Sequence, residues 1–436
     1  MIARLRHWLH RRHHPLRYDH LDALLRTQSL KREDLLARQQ RDLADIVDFA
    51  AAHTPYYAET LAPFLQNGRF GFNELPVLKK DDVTRRLDNL LADTANRSQA
   101  KLGHTGGSTG KPLVFWYDDT KHELMRAGMM RSYMLSGWQP GQKILNFWGA
   151  RQDVVPGGVF GAQLGDAIAA EHTISAYEYT EAQLVEWARF IQRYRPVLLQ
   201  GYASVLAEVA RAVIENRLVM PKTLLGVYST AEVLTDAQRQ RMQQAFGCKA
   251  FNQYGSREIP NIACECSQGR LHVFTDMVFL ESRKIDDENR LLVTSLTNRL
   301  MPMIRYDIGD SGRLLDGECD CGLPFPLMEM DLCRQNDLIR TSSGKTVHPS
   351  YFNRLLYGQT QIRQYQWVQR DLDRLELNLV APPLGRETLA SLEASIRRDV
   401  DARMVLKVHY LGEIPRTVSG KHRFVIGLGA ARPGHP

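Results

Sequence analysis

Nine residues, His104-Thr105-Gly106-Gly107-Ser108-Thr109-Gly110-Lys111-Pro112, concentrate three glycines, three hydroxyls and one lysine ahead of the apolar run Leu113 to Tyr117. That mixture suits phosphate. Glycine lets backbone N–H groups crowd an anion, hydroxyls donate further hydrogen bonds, and lysine adds a mobile positive charge. The same composition also makes an ordinary surface hairpin. A Walker A loop is excluded, because Pro112 follows Lys111 where a magnesium-holding hydroxyl is required.

Other polar clusters lie further along. They are Ser229-Thr230-Ala231-Glu232, Gln253-Tyr254-Gly255-Ser256-Arg257-Glu258, Ile304 to Asp310, Arg334-Gln335-Asn336-Asp337 and Pro415 to Lys421. Each alone is weak. What makes them chemically interesting is the pattern between them. From about 120 to 260, short apolar runs alternate with amphipathic segments, the signature of an α/β layer fold whose ligands sit at strand ends. Strands are expected at 144–148, 197–199, 224–228 and 249–252, with helices between them. One helix begins at a Thr180/Gln183 capping box, another spans 204–216, and a third begins at Thr235/Gln238.

Residues 18 to 62 read as helical, and the last hundred as a small α+β module: strands at 364–369, 374–380 and 405–410 and a helix at 386–402. The expected domains are a helical lead-in over 1–62, a large α/β domain over 63–331 and a small mobile domain over 332–436. At 436 residues and 44% hydrophobic content the chain is long enough for several cores. It has no apolar run long enough to span a bilayer and no secretory pattern at its start, so the cytoplasm is the expected compartment. Part of the net charge of +7 lies in Arg4, Arg6, Arg11, Arg12 and Arg17, where Leu5, Trp8 and Leu9 share a helical face. Such a segment can rest on an anionic membrane, although a docked or frayed arm is commoner. No basic stripe interleaved with aromatics supports nucleic-acid binding.

In this order and at these distances, the loops resemble the adenylate-forming superfamily of acyl-CoA synthetases and adenylation domains, especially its phenylacetate-CoA ligase and CapK-type branch. The resemblance runs from about residue 40 to 425. It implies that Thr105, Gly106, Gly107, Ser108, Thr109, Gly110 and Lys111 hold ATP phosphates. It also places Glu232, Tyr254, Gly255 and Ser256 in the nucleotide site, with Tyr254 flanking adenine and Glu258 holding Mg2+. Asp310 and Arg334 would contact the ribose, and Lys421 would be the catalytic lysine on a moving domain.

The pattern departs from the family at two places. Arg257 replaces the usual Thr or Ser, so it either holds phosphate or pairs with Glu258, and Asn336 stands at a hinge position that is commonly Asp. The implied reaction is ATP-dependent activation of a carboxylic acid, aryl or arylacetic by resemblance, followed by thioester formation with coenzyme A. Transfer to carrier-protein phosphopantetheine and a non-catalytic nucleotide-binding scaffold are the alternatives, and a homodimer is left open. Phe147, Trp148, Tyr228 and Tyr254 are candidates for an aromatic pocket or for ordinary packing.

Of six cysteines, four form two pairs, Cys264 with Cys266 and Cys319 with Cys321, and His272 lies between the pairs. Brought together they offer the soft donor set of a structural zinc site, with a disulfide or free thiols as the alternatives. Some members of the resembled family carry a Cys/His metal site at this place.

Overall fold

Prolines and hydroxyl residues divide the first sixty residues into separate helices. Helix α1 (Ile2–His13) gives way to α2 (Pro15–Gln28), which has proline in its first turn, where the missing N–H costs nothing. Helix α3 (Arg32–His53) ends at Thr54, whose side chain accepts from the Tyr57 N–H to cap α4 (Pro55–Leu61). The computed structural model describes residues 2–66, 69–105, 113–148, 170–176, 179–285, 288–334, 339–343, 346–347, 351–352, 355–356, 359, 361–415 and 423–428. These fall into two compact units. One lies within Met1–Gly106, Pro112–Ile308 and Gly312–Glu329, the other within Gly309–Ser311 and Met330–Pro436.

Two ribbons come first along the chain, β1 (Leu65–Gln66) with β2 (Arg69–Phe70) and β3 (Lys101–His104) with β4 (Val114–Tyr117). Two further helices, α5 (Lys80–Arg85) and α6 (Asp119–Met134), lie near the second ribbon in sequence. The main sheet then starts with five parallel strands: β5 (Ile144–Trp148), β6 (Glu171–Ser175), β7 (Leu198–Tyr202), β8 (Gly226–Thr230) and β9 (Lys249–Tyr254). The crossover helices are α7 (Glu181–Tyr194), α8 (Ala203–Glu215) and α9 (Asp236–Phe246), and both expected capping boxes are formed. Apolar side chains of these strands and helices, among them Leu145, Leu199, Val227, Trp187, Val205 and Met242, make one continuous core. This layered α/β arrangement is the expected fold class.

Antiparallel strands extend the same sheet: β10 (Ala263–Glu265), β11 (Leu271–Val273), β12 (Val278–Ile285), β13 (Glu288–Ser295), β14 (Tyr306–Leu315) and β15 (Leu327–Arg334). The eleven-stranded order is β12-β13-β14-β15-β11-β10-β9-β8-β7-β5-β6. A buried bidentate pair ties α6 to the turn before β12, Arg131 Nη1 and Nη2 donating to Asp276 at 2.5 and 3.0 Å, with the guanidinium 4.0 Å from the Phe274 ring centroid. The second unit carries the ribbon β16 (Ile339–Arg340) with β17 (Thr346–Val347) and a four-stranded sheet. That sheet contains β18 (Gln364–Asp371), β19 (Arg374–Val380), β20 (Val405–Tyr410) and β21 (Val425–Ile426), in the order β20-β19-β18-β21. Helix α10 (Arg386–Asp399) packs on it, its Ile396 in one core with Trp367 and Leu377 of the sheet, all fully buried.

Helix α1 is docked through one histidine. A guanidinium can only donate, so Arg17 Nη1, 3.2 Å from His10 Nε2, makes that nitrogen an acceptor and leaves Nδ1–H to donate to Tyr18 Oη at 2.8 Å. Arg17 in turn grips Glu123 of α6 with two bonds, 2.7 and 3.0 Å. Burial pulls His10 down to about 4, helped by Arg17, His14 and Arg126 and opposed by Glu171. The unfolded chain therefore binds a proton at His10 between about pH 6.5 and 4 that the folded chain does not, and this part of the stability is lost as pH falls through that window. His10→Gln should thus narrow its stability gap to the wild type as the pH of urea unfolding falls from 7 to 4; a pH-independent gap would contradict the neutral docked histidine.

Candidate active site and cysteine cluster

Strand β9 ends at Tyr254, whose carbonyl accepts from the Ile262 N–H at 3.0 Å, so the residues between form a closed loop. Gly255 is required there: a Cβ would sit 2.8 Å from the Asn261 backbone nitrogen. The Ser256 N–H donates to the Ile259 carbonyl (2.9 Å), and its Oγ accepts from the Ile259 N–H (3.0 Å). Asn261, itself at φ 55°, donates from Nδ2 to the Met125 carbonyl of α6 (2.8 Å) and lies where a side chain at Gly128 would clash.

This loop turns Glu258 inward, 4% exposed. Its Oε1 accepts from the Tyr306 hydroxyl at 3.0 Å, while Oε2 is buried with no hydrogen-bond partner among the described residues. A carboxylate oxygen with an unused lone pair is what a hard divalent cation takes. Lys121 of α6 donates from Nζ to the Glu258 carbonyl at 2.7 Å and lies 4.9 Å from the Phe115 ring centroid in β4. Desolvation pulls this amine down to about 8, with Glu258 and Asp118 opposing the shift.

Arg257 is tied to the base of the glycine-rich segment, its Nη1 donating to the His104 carbonyl at 3.1 Å. Thr105 closes that base, its N–H donating to the Leu113 carbonyl and its Oγ1 accepting from the Leu113 N–H, both at 2.9 Å. After β8, Ala231 holds φ 65°, a conformation unusual for a residue with a Cβ, and Glu232 Oε2 accepts from the Ser204 N–H at 2.8 Å at the start of α8.

The cysteines resolve differently from their pairing in sequence. Cys266, His272, Cys319 and Cys321 offer ligand atoms all within 4.8 Å of one another, and Cys264 is not among them. Cys264 stands inside β10 with its thiol fully buried, which pushes it up and leaves it inert, whereas Cys266 has left the strand for the turn closing at Gly269. The Cys266 and Cys319 sulfurs are 3.7 Å apart, and Cys321 Sγ is 3.3 Å from His272 Nε2. Tetrahedral zinc with sulfur at about 2.3 Å spaces its sulfurs by about 3.8 Å, so the donors fit. His272 Nδ1 lies 3.1 Å from the Phe325 carbonyl, a bond that orients Nε2 as the free lone pair, and the Gln268 N–H reaches Cys266 Sγ at 3.3 Å.

The CapK C-terminal domain family matches residues 339–427. Protein CapK of Staphylococcus aureus is 25% identical over 413 residues, covering 90% of this chain and 89% of its own. The phenylacetate-coenzyme A ligase of Thermus thermophilus is 29% identical over 452 aligned positions, covering 92% and 98%. Over nearly its whole length the chain is thus similar to the CapK and phenylacetate-CoA ligase branch of the adenylate-forming superfamily. A solved 2-hydroxyisobutyryl-CoA ligase in the postadenylation state shares the fold, with TM-score 0.72, 17% identity and coverage of 92% and 91%.

Among the residues that the superfamily resemblance singles out, the structure brings Tyr254, Gly255, Ser256, Arg257, Glu258 and Thr105 into one neighbourhood, linked by the Arg257–His104 bond. Asp310 lies in β14, next to Gly309 at φ 82°. Arg334 ends β15, and its side chain lies outside the described residues, as do Gly106, Gly107, Ser108, Thr109, Gly110, Lys111 and Lys421.

The aromatic candidates separate. Phe147 packs on Trp187, and Tyr228 stacks on Phe251 while its hydroxyl donates to the Ser132 carbonyl (2.6 Å), so these two fully buried rings are core and not pocket lining. Lys121 and Tyr306 escape a sequence reading. Lys121 looks like a surface cation at the start of a helix, and Tyr306 like an ordinary strand aromatic. Lys121→Met frees the loop carbonyl and is expected to lower kcat/KM for acid-dependent pyrophosphate release by about tenfold or more, with the unfolding midpoint little changed; wild-type kinetics would remove Lys121 from the site.

Proposed function

We propose that this protein uses ATP to activate a carboxylic acid as its acyl-adenylate and then passes the acyl group to the thiol of coenzyme A. The observation that carries the reading is the buried Glu258, with one oxygen held by Tyr306 and the other without a partner among the described residues, in a loop stapled to α6 and to the base of the glycine-rich segment. In the first step the acid's carboxylate oxygen attacks the α-phosphorus and the bond to pyrophosphate breaks. In the second the thiol sulfur attacks the acyl carbonyl, loses its proton to solvent, and AMP leaves. No side-chain nucleophile is needed, so the protein contributes position and electrostatics.

The roles proposed for the chain follow the superfamily. Thr105 to Lys111 cradle phosphates, Tyr254 flanks adenine, Asp310 and Arg334 take the ribose, and Lys421 steadies charge at the reacting phosphate from a small domain over 332–436. Glu258 is the residue to hold Mg2+, which when bound neutralises phosphate charge. The relatives named phenylacetate-CoA ligase favour an aryl or arylacetic acid. We also assign a structural zinc to Cys266, His272, Cys319 and Cys321; four protein donors leave no position for a reacting water.

Pyrophosphate release from magnesium-ATP, measured across aryl, arylacetic, fatty and amino acids with and without coenzyme A, tests the reading. Acid-dependent release stimulated by coenzyme A is expected. Indifference to coenzyme A would point to a carrier protein or another acceptor, and silence to a nucleotide-binding scaffold. Glu258→Gln should reduce the rate by about a hundredfold or more and Tyr306→Phe by about tenfold. Atomic emission should find about one zinc per chain, lost in Cys266→Ser and His272→Ala and retained in Cys264→Ser; a metal-free wild type would return the cluster to free thiols.

A further inference from the structure

Helix α1 presents an unusual face to solvent. Ile2, Leu5 and Trp8 recur every third residue and are 66%, 56% and 54% exposed; Val219 apart, they are the most exposed large apolar side chains among the described residues. At about 100° per residue they share one arc with Arg12, and Arg4 flanks it. Arg4 and Arg12 are exposed and form no ion pair among the described residues, and the Arg12 guanidinium lies 5.1 Å from the Trp8 ring centroid. Residues 2 to 18 contain no carboxylate.

This face is held outward by design of the opposite one. A Cβ at Gly141 would lie 2.2 Å from the Ala3 carbonyl oxygen and 2.9 Å from the His7 nitrogen, so α1 rests directly on backbone there. His10 is locked to Tyr18 and Arg17, and Arg17 to Glu123. A frayed arm would not need these contacts.

We propose that the exposed face of α1 docks the protein onto an anionic lipid surface, lying in the headgroup plane. The apolar stripe enters the boundary between headgroups and acyl chains, Trp8 suits that boundary, and the arginines meet lipid phosphates. No helix among the described residues is long and apolar enough to cross a membrane, so the attachment is interfacial and reversible. A second copy of the chain fits poorly, because two such faces would set four like charges together. A nucleic acid would satisfy the arginines and leave Ile2 and Leu5 in water.

The test sediments the full chain with vesicles of phosphatidylcholine alone or mixed with phosphatidylglycerol. Binding is expected only to the mixed vesicles, falling as salt rises, lost in Leu5→Gln/Trp8→Gln, and weakened about fivefold by each of Arg4→Gln and Arg12→Gln. All four side chains are exposed, so circular dichroism and soluble pyrophosphate release should stay at wild-type values and exclude misfolding. Absence of binding to anionic vesicles, or equal binding by the Leu5→Gln/Trp8→Gln variant, overturns the proposal. So does a dimer in light scattering that the same double substitution dissociates, which would give the face to a second copy.

Discussion

The candidate site is organised around the burial of one carboxylate. Removing a carboxylate from water costs on the order of several kcal/mol, and Glu258 recovers part of that through the Tyr306 hydroxyl while one oxygen has no partner among the described residues. Such a group keeps its place only if the backbone carrying it cannot relax. That requirement explains the unusual features around it. Gly255 has no room for a side chain, Asn261 adopts a left-handed conformation, Gly128 makes way for the Asn261 amide, and Lys121 ties the loop carbonyl to a helix.

The strand that delivers Tyr306 is constrained in the same spirit. Arg305, at φ 48° and 6% exposed, donates to both oxygens of Glu281 and to the carbonyls of Asn73 and Leu75, while its own N–H donates to Thr294. These bonds hold β12, β13 and the start of β14 together by buried polar and charged groups that must stay paired, and the Arg131–Asp276 pair does the same between α6 and the turn before β12. A misregistered sheet would leave ionised groups buried and unpaired, which costs far more than a displaced methyl group.

Local signals were legible where the physics is local. The capping boxes at Thr180 and Thr235 form, β5, β19 and β20 have the expected bounds, and the helix 386–402 is present three residues shorter. Strand ends elsewhere moved by one to three residues, as at β7 and β8, because pairing with neighbours decides where a strand stops. The antiparallel strands from β10 to β15 went unread although several pair with a chain neighbour, as β12 does with β13; the β11–β15 pairing does join partners distant in sequence. Spacing misled for Cys264: two residues from Cys266, it shares a metal site only if the strand continues, and it does not. Phe147 and Tyr228 lie close to strand ends but face the core, a matter of two-residue alternation that an apolar run hides.

The hydrogen bond from Arg257 to the His104 carbonyl has a thermodynamic consequence. It joins the base of the glycine-rich segment to the loop that holds Glu258, so neither can shift without straining the other. Any effect that a ligand on one of these segments has on the affinity of a ligand on the other is then returned by the same factor in the opposite order of addition. On the proposed roles, cation and nucleotide binding at this site would be coupled through one guanidinium.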